Sequence, residues 1–362
     1  MSHNPYKEFP DTSYWRRSVS AKSLFDISDL WTPKFKISQN DIFATYGSCF
    51  AQHFSNALRA RGIRWSDCEP APDFPSILQS SSISDELRVG YNYGIYSSRT
   101  QNIYTPTMLL QWLKMSMSKD YTQYEVWEEK GRFYDSLRPT LEPNGFGSKS
   151  ELFKAREVTS ASFLKSIKNS TVFVFTLGLT ERWVNRESKM EYAQCPGVAA
   201  GHFDETEHLP QNLYFPQLRS AMQESVELIR ELNPKIKVLL TVSPVPLVAT
   251  FQKKHVLVAT MEAKSALRAV ASHCSERMRY VDYFPSYEII SSFPYKASFY
   301  EADLRSVNPV GVNHVMKVFF ESTGISTQTP MLKEKGGVEL QEKGDEDTVC
   351  EEVLLDAFGG RK

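Results

Sequence analysis

Four short apolar runs stand out along the chain because their hydrophobic positions follow one another without regular polar interruption. They cover residues 42–46, 172–177, 236–242 and 280–283 and are rich in Val, Ile, Phe and Tyr. Strands that are covered on both faces have this pattern, whereas half-exposed strands alternate apolar and polar residues. The pattern therefore predicts four buried β-strands.

Helical spacing of apolar residues fills the segments around these runs. It predicts helices over residues 51–61, 107–117, 151–168, 217–232 and 256–275, and breakers such as Gly62 and Pro234 follow two of them. Strands that alternate with helices form a mostly parallel sheet with helices on both faces. We therefore expect an α/β fold, a three-layer α/β/α sandwich, in one domain over residues 1–325.

The composition changes from residue 326 onward. Residues 331–362 contain nine acidic and five basic side chains and few large apolar ones. Such a segment cannot bury enough apolar surface to offset the entropy of ordering it. Residues 326–362 are therefore predicted to be an acidic, disordered tail.

Charge and cysteine usage exclude several classes of protein. The 42 basic and 43 acidic residues give a net charge of −1, which argues against a nucleic-acid partner bound by a basic face. The five cysteines are scattered and no two have zinc-ligand spacing, so neither a disulfide framework nor a metal site is expected. Without an apolar run of about 18 residues or an apolar leader, we expect a cytoplasmic protein with no membrane partner.

The strongest candidate for chemistry follows the first predicted strand. Gly47 permits a tight turn there, and Ser48 comes next, directly before a predicted helix. The amino terminus of a helix offers backbone N–H groups and a positive dipole end to a developing oxyanion, so Ser48 is placed as a nucleophile would be. Two alternatives remain: Ser48 is simply the N-cap of the helix, or the thiol of Cys49 is the nucleophile.

Further polar residues follow the later strands. Gly178, Thr180 and Glu181 come after the second strand and could contact a substrate, although such residues also form ordinary turns. Asp303 and Ser306 precede the Asn308-Pro309 pair, which is a typical start of a helix. In parallel sheets the reactive groups gather at the carboxyl ends of the strands, so these residues are expected near one another.

Several of these segments together resemble the GSCFA family, within the SGNH/GDSL hydrolase-like superfamily. The segments are GSCFA at 47–51, NIYT at 102–105, TLGLTERW at 176–183, TVSPVPL at 241–247 and VDYFPSYE at 281–288. The resemblance extends from near the amino terminus to the end of the helix that follows Pro309. It implies an SGNH-hydrolase-like (flavodoxin-like) fold.

The resemblance also implies roles for individual residues. Ser48 is the nucleophile, and the oxyanion is held by backbone N–H groups, with either Gly94 or the side chain of Asn102 as the donor of the second block. Gly47, Gly178, Thr180 and Glu181 belong to the oxyanion and substrate-binding set, with Thr180 where the superfamily has asparagine. The superfamily's Asp-x-x-His pair corresponds here to Asp303 and Ser306.

Position 306 is the main departure from the family pattern, because a serine hydroxyl cannot accept a proton at neutral pH. Either the enzyme is impaired, or the chain is a non-catalytic ligand- or glycan-binding member of the fold, or another histidine is the base. His314 is nearest in sequence, although its spacing to Val310 and Val318 favours a packed structural role.

The resemblance implies an esterase or O-acyltransferase that forms a Ser48 acyl-enzyme. The expected partner is a small-molecule or glycan substrate, an acylated carbohydrate. No cofactor is expected, apart from an acyl donor such as acetyl-CoA if the chain is a transferase.

Overall fold

The computed structural model describes residues 4–72, 87–325 and 354–355. Its strands are β1 (Phe43–Gly47), β2 (Val126–Glu129), β3 (Arg132–Asp135), β4 (Val172–Leu177), β5 (Glu181–Asn185), β6 (Glu191–Tyr192), β7 (His208–Asn212), β8 (Lys237–Val242) and β9 (Val281–Tyr283). The α-helices are α1 (Ala51–Ala60), α2 (Pro106–Ser118), α3 (Lys149–Asn169), α4 (Phe215–Leu232), α5 (Val256–Arg277), α6 (Ser286–Ser291) and α7 (Pro309–Thr323).

A four-stranded parallel sheet in the order β1-β4-β8-β9 forms the centre of the molecule. On the free side of β1, Trp65 makes a parallel bridge to Phe43, so the chain that follows α1 continues the sheet beyond β1. The strand order therefore reverses at β1. Open α/β sheets bind ligands outside the carboxyl ends of the strands at such a reversal, which directs attention to the residues that follow Gly47.

Two hydrophobic clusters cover the two faces of this sheet. Phe173 and Phe175 of β4 belong to the cluster that contains apolar residues of α2, α3, α4 and α5. Val172 and Val174 of the same strand belong to the cluster that contains residues of α1, α6 and α7. Because successive side chains of a strand point to opposite faces, this division gives helix, sheet and helix layers. The predicted three-layer α/β/α sandwich with a parallel sheet is confirmed.

The four predicted strands and five predicted helices are present, with bounds shifted by a few residues. The prediction missed the β2–β3 hairpin and the three-stranded antiparallel sheet β6-β5-β7. These strands are short and their residues are mostly only partly buried, so they lack the continuous apolar runs that marked the others. The prediction placed Thr180 and Glu181 in a loop. In the structure, Thr180 directly precedes β5, and Glu181 is the first residue of that strand. The predicted tail lies outside the described residues, apart from Leu354 and Leu355.

A buried cluster of charged side chains stabilises a segment of the chain beside the sheet. Asp135 forms ion pairs of 2.8 Å with Arg138 and 2.7 Å with Arg156, and all three side chains are fully buried. Arg138 also donates to the carbonyl oxygen of Arg99 at 3.3 Å, and thereby holds the segment that leads to Asn102. Burial by itself raises the pKa of Asp135, but the charges of Arg156 and Arg138 outweigh it and lower the pKa to about 2.

We expect Asp135→Asn to lower the free energy of unfolding by about 3–5 kcal/mol at neutral pH, because two buried guanidinium groups lose their counter-charge. The folded pKa lies below the unfolded value of 3.8, so the ionic contribution is complete above about pH 4 and is lost as the pH falls towards 2. Urea unfolding of both proteins at several pH values measures this. The exposed Asp11→Asn is the control, and an equally small effect of both substitutions would contradict the prediction.

Candidate functional site

Ser48 lies at the carboxyl end of β1 and is almost completely enclosed, with 2% of its surface exposed. Its Oγ makes no hydrogen bond within the described part of the chain. Helix α1 begins at Ala51 with Phe50 as its N-cap residue, so the interpretation of Ser48 as the N-cap is wrong. A buried hydroxyl without a partner is costly. Other buried hydroxyls, such as those of Ser116 and Ser225, share this property, and Ser48 is distinguished from them by its position at the end of β1.

Gly47 places Ser48 in this position through an unusual backbone conformation. Its φ is +128°, and a Cβ on this residue would lie 2.3 Å from the carbonyl oxygen of Thr176 in β4. The Ser48 N–H donates to the same oxygen at 3.0 Å, and the Ile103 N–H donates to the Gly47 carbonyl at 2.9 Å. Only glycine allows the strand end to approach both neighbours this closely.

Gly178 lies directly against Ser48 from the end of β4. A Cβ on Gly178 would lie 2.9 Å from the Ser48 Cβ and 3.1 Å from the Tyr104 ring. Asn102 is buried two residues before Tyr104 and accepts a hydrogen bond from the Tyr96 hydroxyl. The structure thus brings the predicted residues Gly47, Ser48, Asn102 and Gly178 together at the reversal point of the sheet.

The backbone donors expected for an oxyanion hole are already engaged. The Ser48 N–H is bonded to Thr176, and the Gly178 N–H donates to the Tyr104 carbonyl at 2.9 Å. Thr180, in the position where the superfamily has asparagine, donates its hydroxyl to Asn212 at 2.7 Å. In this conformation, therefore, none of these three groups points an unbonded donor at Ser48.

Asp303 and Ser306 form a compact turn of their own. Asp303 is exposed and accepts hydrogen bonds from the Arg305 N–H at 2.8 Å, the Ser306 N–H at 2.9 Å and the Ser306 Oγ at 2.7 Å. Burial raises the pKa of Asp303, but the hydrogen bonds from Ser306 and Arg305 more than compensate and leave it lowered. All these contacts are local, and none joins this pair to Ser48.

His314, the alternative base, is a packed aromatic residue on α7. Its ring is stacked on Phe299 with a centroid distance of 5.1 Å and meets Phe25 and Tyr295 edge-on. Burial lowers the pKa of this imidazole. His314 belongs to the aromatic contacts between α7 and its neighbours, and the structure shows no contact between it and Ser48.

A cavity of about 270 Å³ begins beside Gly178. Tyr104, whose ring lies against Gly178, and Leu179 line it. Most of the other wall residues are also apolar, among them Met108, Trp183, Leu247, Phe251 and Leu355.

Glu181 closes one side of this cavity by holding a loop in place. It accepts hydrogen bonds from the Thr250 hydroxyl at 2.6 Å and the Gln252 side chain at 2.8 Å, and so fixes the loop that carries Phe251. The predicted substrate-binding residue Glu181 therefore shapes the wall of the cavity.

The sequence analysis did not identify Lys264 as a candidate. This lysine on α5 is only 1% exposed, and its Nζ donates to the carbonyl oxygen of Gly178 at 2.8 Å. A signal was present, because position 264 falls on the same helical stripe as the buried Thr260, Leu267 and Ala271. A lysine in an apolar stripe is unusual and needs a specific partner.

The described residues contain no cluster of three or more His, Cys, Asp or Glu side chains that could hold a metal ion. Within the same residues, no helix combines the length and the apolar character needed to cross a membrane.

The fold and the site define an α/β protein with a buried serine at the switch point of a parallel sheet, next to an apolar cavity. The sequence profile of the GSCFA family matches residues 42–319, which is most of the chain, and the protein therefore belongs to the GSCFA family. Among curated proteins and solved structures, none matches it. The matched range contains Ser48, Gly178 and Lys264.

We expect Gly47→Ala to destabilise the protein by more than about 4 kcal/mol or to prevent folding. The added methyl group would collide with the Thr176 carbonyl, and the residue would have to keep a φ that alanine rarely adopts. Gly90→Ala is the matched control, since nothing lies within 4 Å of its added Cβ. Urea unfolding curves that coincide for both variants and the unmodified protein would contradict this account of Gly47.

Proposed function

We propose that the protein is a serine esterase or O-acyltransferase of the SGNH type. The observation that carries this proposal is the buried, unbonded Oγ of Ser48 at the switch point of the sheet, in contact with Gly178 and one residue from an apolar cavity. A nucleophile that is enclosed in a preorganised site is separated from competing water until an acyl group arrives.

The cavity is the proposed binding site for the acyl chain. Its wall is mostly apolar and can bury the methylene groups of a chain longer than acetyl, while the charged Arg182 and Glu191 in the wall are paired with each other at 3.0 Å. At its wall, the Trp183 ring meets Phe203 at 5.5 Å and Phe251 at 6.3 Å, and both phenylalanines are more than a third exposed. These rings offer apolar faces on which the sugar of an acylated carbohydrate can stack.

The proposed reaction proceeds through an acyl-enzyme. Ser48 Oγ attacks the acyl carbon and loses its proton to a base, and the ester C–O bond breaks as the leaving alcohol takes up a proton. Water or an acceptor hydroxyl then attacks the acyl-enzyme, loses its own proton to the base, and Ser48 regains a proton. Hydrolysis and transfer from the same ester differ only in this acceptor. A transferase that uses a thioester donor such as acetyl-CoA would break a C–S bond in the first step and release the protonated thiol instead of an alcohol.

A specific observation favours a second candidate function, a non-catalytic ligand- or glycan-binding protein. Position 306 holds serine rather than histidine, and Asp303 is occupied within its own turn. The cavity would still bind an apolar group if Ser48 were unreactive.

Labelling with a fluorophosphonate probe separates the two functions, because the probe requires an activated serine. We expect one adduct on Ser48 by intact-mass and peptide analysis, lost completely in Ser48→Ala. Cys49→Ala is the matched control, since Cys49 packs in the hydrophobic cluster with α1, and it should still be labelled. A folded, unmodified protein that takes up no probe would support the binding function instead.

Another prediction concerns the length of the acyl chain that the cavity accepts. Ala193 lines the cavity, and Ala193→Phe should lower the rate on octanoyl relative to acetyl esters by about tenfold or more, because overpacking costs roughly 1–3 kcal/mol. The ratio of kcat/KM for the two nitrophenyl esters measures this. Val158→Phe, on the exposed face of α3, is the control. An unchanged ratio in Ala193→Phe would show that the cavity does not hold the chain.

A further inference from the structure

Leu355 brings a distant part of the chain to the apolar cavity. It lines the same cavity as Tyr104 and Trp183, although it lies far beyond the end of α7 in sequence. Its side chain is partly buried, whereas the neighbouring Leu354 is 40% exposed and does not line the cavity. The chain therefore returns to the body of the protein at this point, with one of two adjacent leucines in the cavity wall.

The sequence around Leu355 explains why a contact forms at this place. Residues 353–355 are three consecutive apolar residues, Val-Leu-Leu, whereas residues 333–352 are dominated by charged and polar side chains. Transfer of a leucine side chain from water to an apolar surface is favourable, and a charged segment has little other surface of this kind to bury. Leu355 is thus suited to hold this segment against the cavity.

Charge favours the same contact. Glu351, Glu352 and Asp356 flank the two leucines in sequence. The loop that follows Phe251, a wall residue of the cavity, contains the exposed Lys253. Segments of opposite charge attract each other over about a Debye length, ~10 Å at moderate ionic strength, so this loop and the acidic segment favour each other's approach.

Leu355 forms part of the wall and leaves the interior of the cavity open. A volume of about 270 Å³ remains with this residue in place. Small-molecule sites begin at about 300 Å³, so the remaining space is close to what a bound ligand needs. A wall residue adds contacts to a bound chain, whereas a residue that filled the cavity would compete with the chain. The geometry therefore favours a contribution of Leu355 to binding.

We propose that Leu355 is a specificity-determining residue of the acyl-chain site, where it completes the apolar wall for chains longer than acetyl. This inference rests on the proposed function, since it takes the cavity to be the site of the acyl chain. An octanoyl chain gains apolar contact from a complete wall. An acetyl group, which ends one carbon from the reacting carbonyl, has no methylene groups to bury there.

Binding of the neutral dye N-phenyl-1-naphthylamine to the full chain tests this without catalysis, because the dye gains fluorescence in apolar surroundings. We expect Leu355→Asp to raise the Kd of the dye about tenfold, a change that the burial of one leucine side chain can supply. Leu354→Asp is the matched control. It adds the same charge one residue away, on an exposed side chain, and should change the Kd by less than about twofold. Ala193→Phe fills the cavity and should abolish binding, which assigns the dye to this site.

The same substitutions should act on catalysis according to chain length. Leu355→Asp should lower the ratio of kcat/KM for octanoyl and acetyl nitrophenyl esters about tenfold, by the same loss of apolar contact. Leu355→Met, which keeps the volume and apolar character of the side chain, should retain the ratio, and Leu354→Asp should leave it unchanged. An equal loss for both esters would indicate a general effect on the protein and would overturn the inference.

Melting temperatures identify a variant that fails to fold. If Leu355→Asp does so, Leu355→Ala takes its place, with a smaller rise of the dye Kd expected in the same direction. An unchanged Kd in a folded Leu355→Ala would then overturn the inference.

The remaining outcomes are equally definite. Equal Kd values in Leu355→Asp and Leu354→Asp would overturn the inference. Tighter binding in Leu355→Asp would also overturn it, because the leucine would then compete for the cavity. Dye binding that survives Ala193→Phe, or no dye binding by the unmodified chain, would likewise overturn it.

Fluorophosphonate labelling decides the proposed function separately. If Ser48 is labelled and Leu355→Asp changes neither the dye Kd nor the ester ratio, this inference is overturned and the serine esterase remains. If the dye results are as expected but the chain takes up no fluorophosphonate, Leu355 is supported as part of an apolar binding site and the esterase alone is overturned.

Discussion

The close approach of β1 to β4 at Gly47 is the constraint on which the site depends. A Cβ at this residue would overlap the Thr176 carbonyl, and the same carbonyl accepts the Ser48 N–H. The Gly47 carbonyl in turn binds the Ile103 N–H. Three distant segments of the chain are thus joined through backbone groups alone, and the positions of Ser48, Asn102 and Tyr104 follow from these contacts.

Burial gives this site its chemical character. Ser48, Asn102, Thr176 and Lys264 are all nearly inaccessible, so their polar groups interact in a medium that screens charge weakly. An unbonded hydroxyl and an enclosed amine both destabilise such a region, and proteins retain destabilising groups of this kind mostly at functional sites. The charge-paired Asp135–Arg138–Arg156 group, by contrast, stabilises the segment that brings Asn102 to the sheet.

The apolar cavity extends the site in the direction of the antiparallel sheet. Tyr104 joins the two regions, since its carbonyl binds the N–H groups of Gly178 and Leu179 while its ring lines the cavity. The antiparallel sheet adds Trp183 and the partly exposed aromatic rings next to it. The parallel sheet therefore positions the proposed nucleophile, and the smaller sheet supplies the surface that would select a substrate.

The sequence by itself determined the parallel sheet, its helices and the location of the site at the strand ends, because buried strands and amphipathic helices leave periodic apolar patterns. It also predicted that Gly47, Ser48, Asn102 and Gly178 belong together. It could not show that Asp303 and Ser306 bond to each other within one turn, that β5 begins at Glu181, or that Lys264 reaches Gly178. These features depend on contacts between residues far apart in the chain, and local periodicity contains no information about which distant backbone carbonyl a buried side chain will meet.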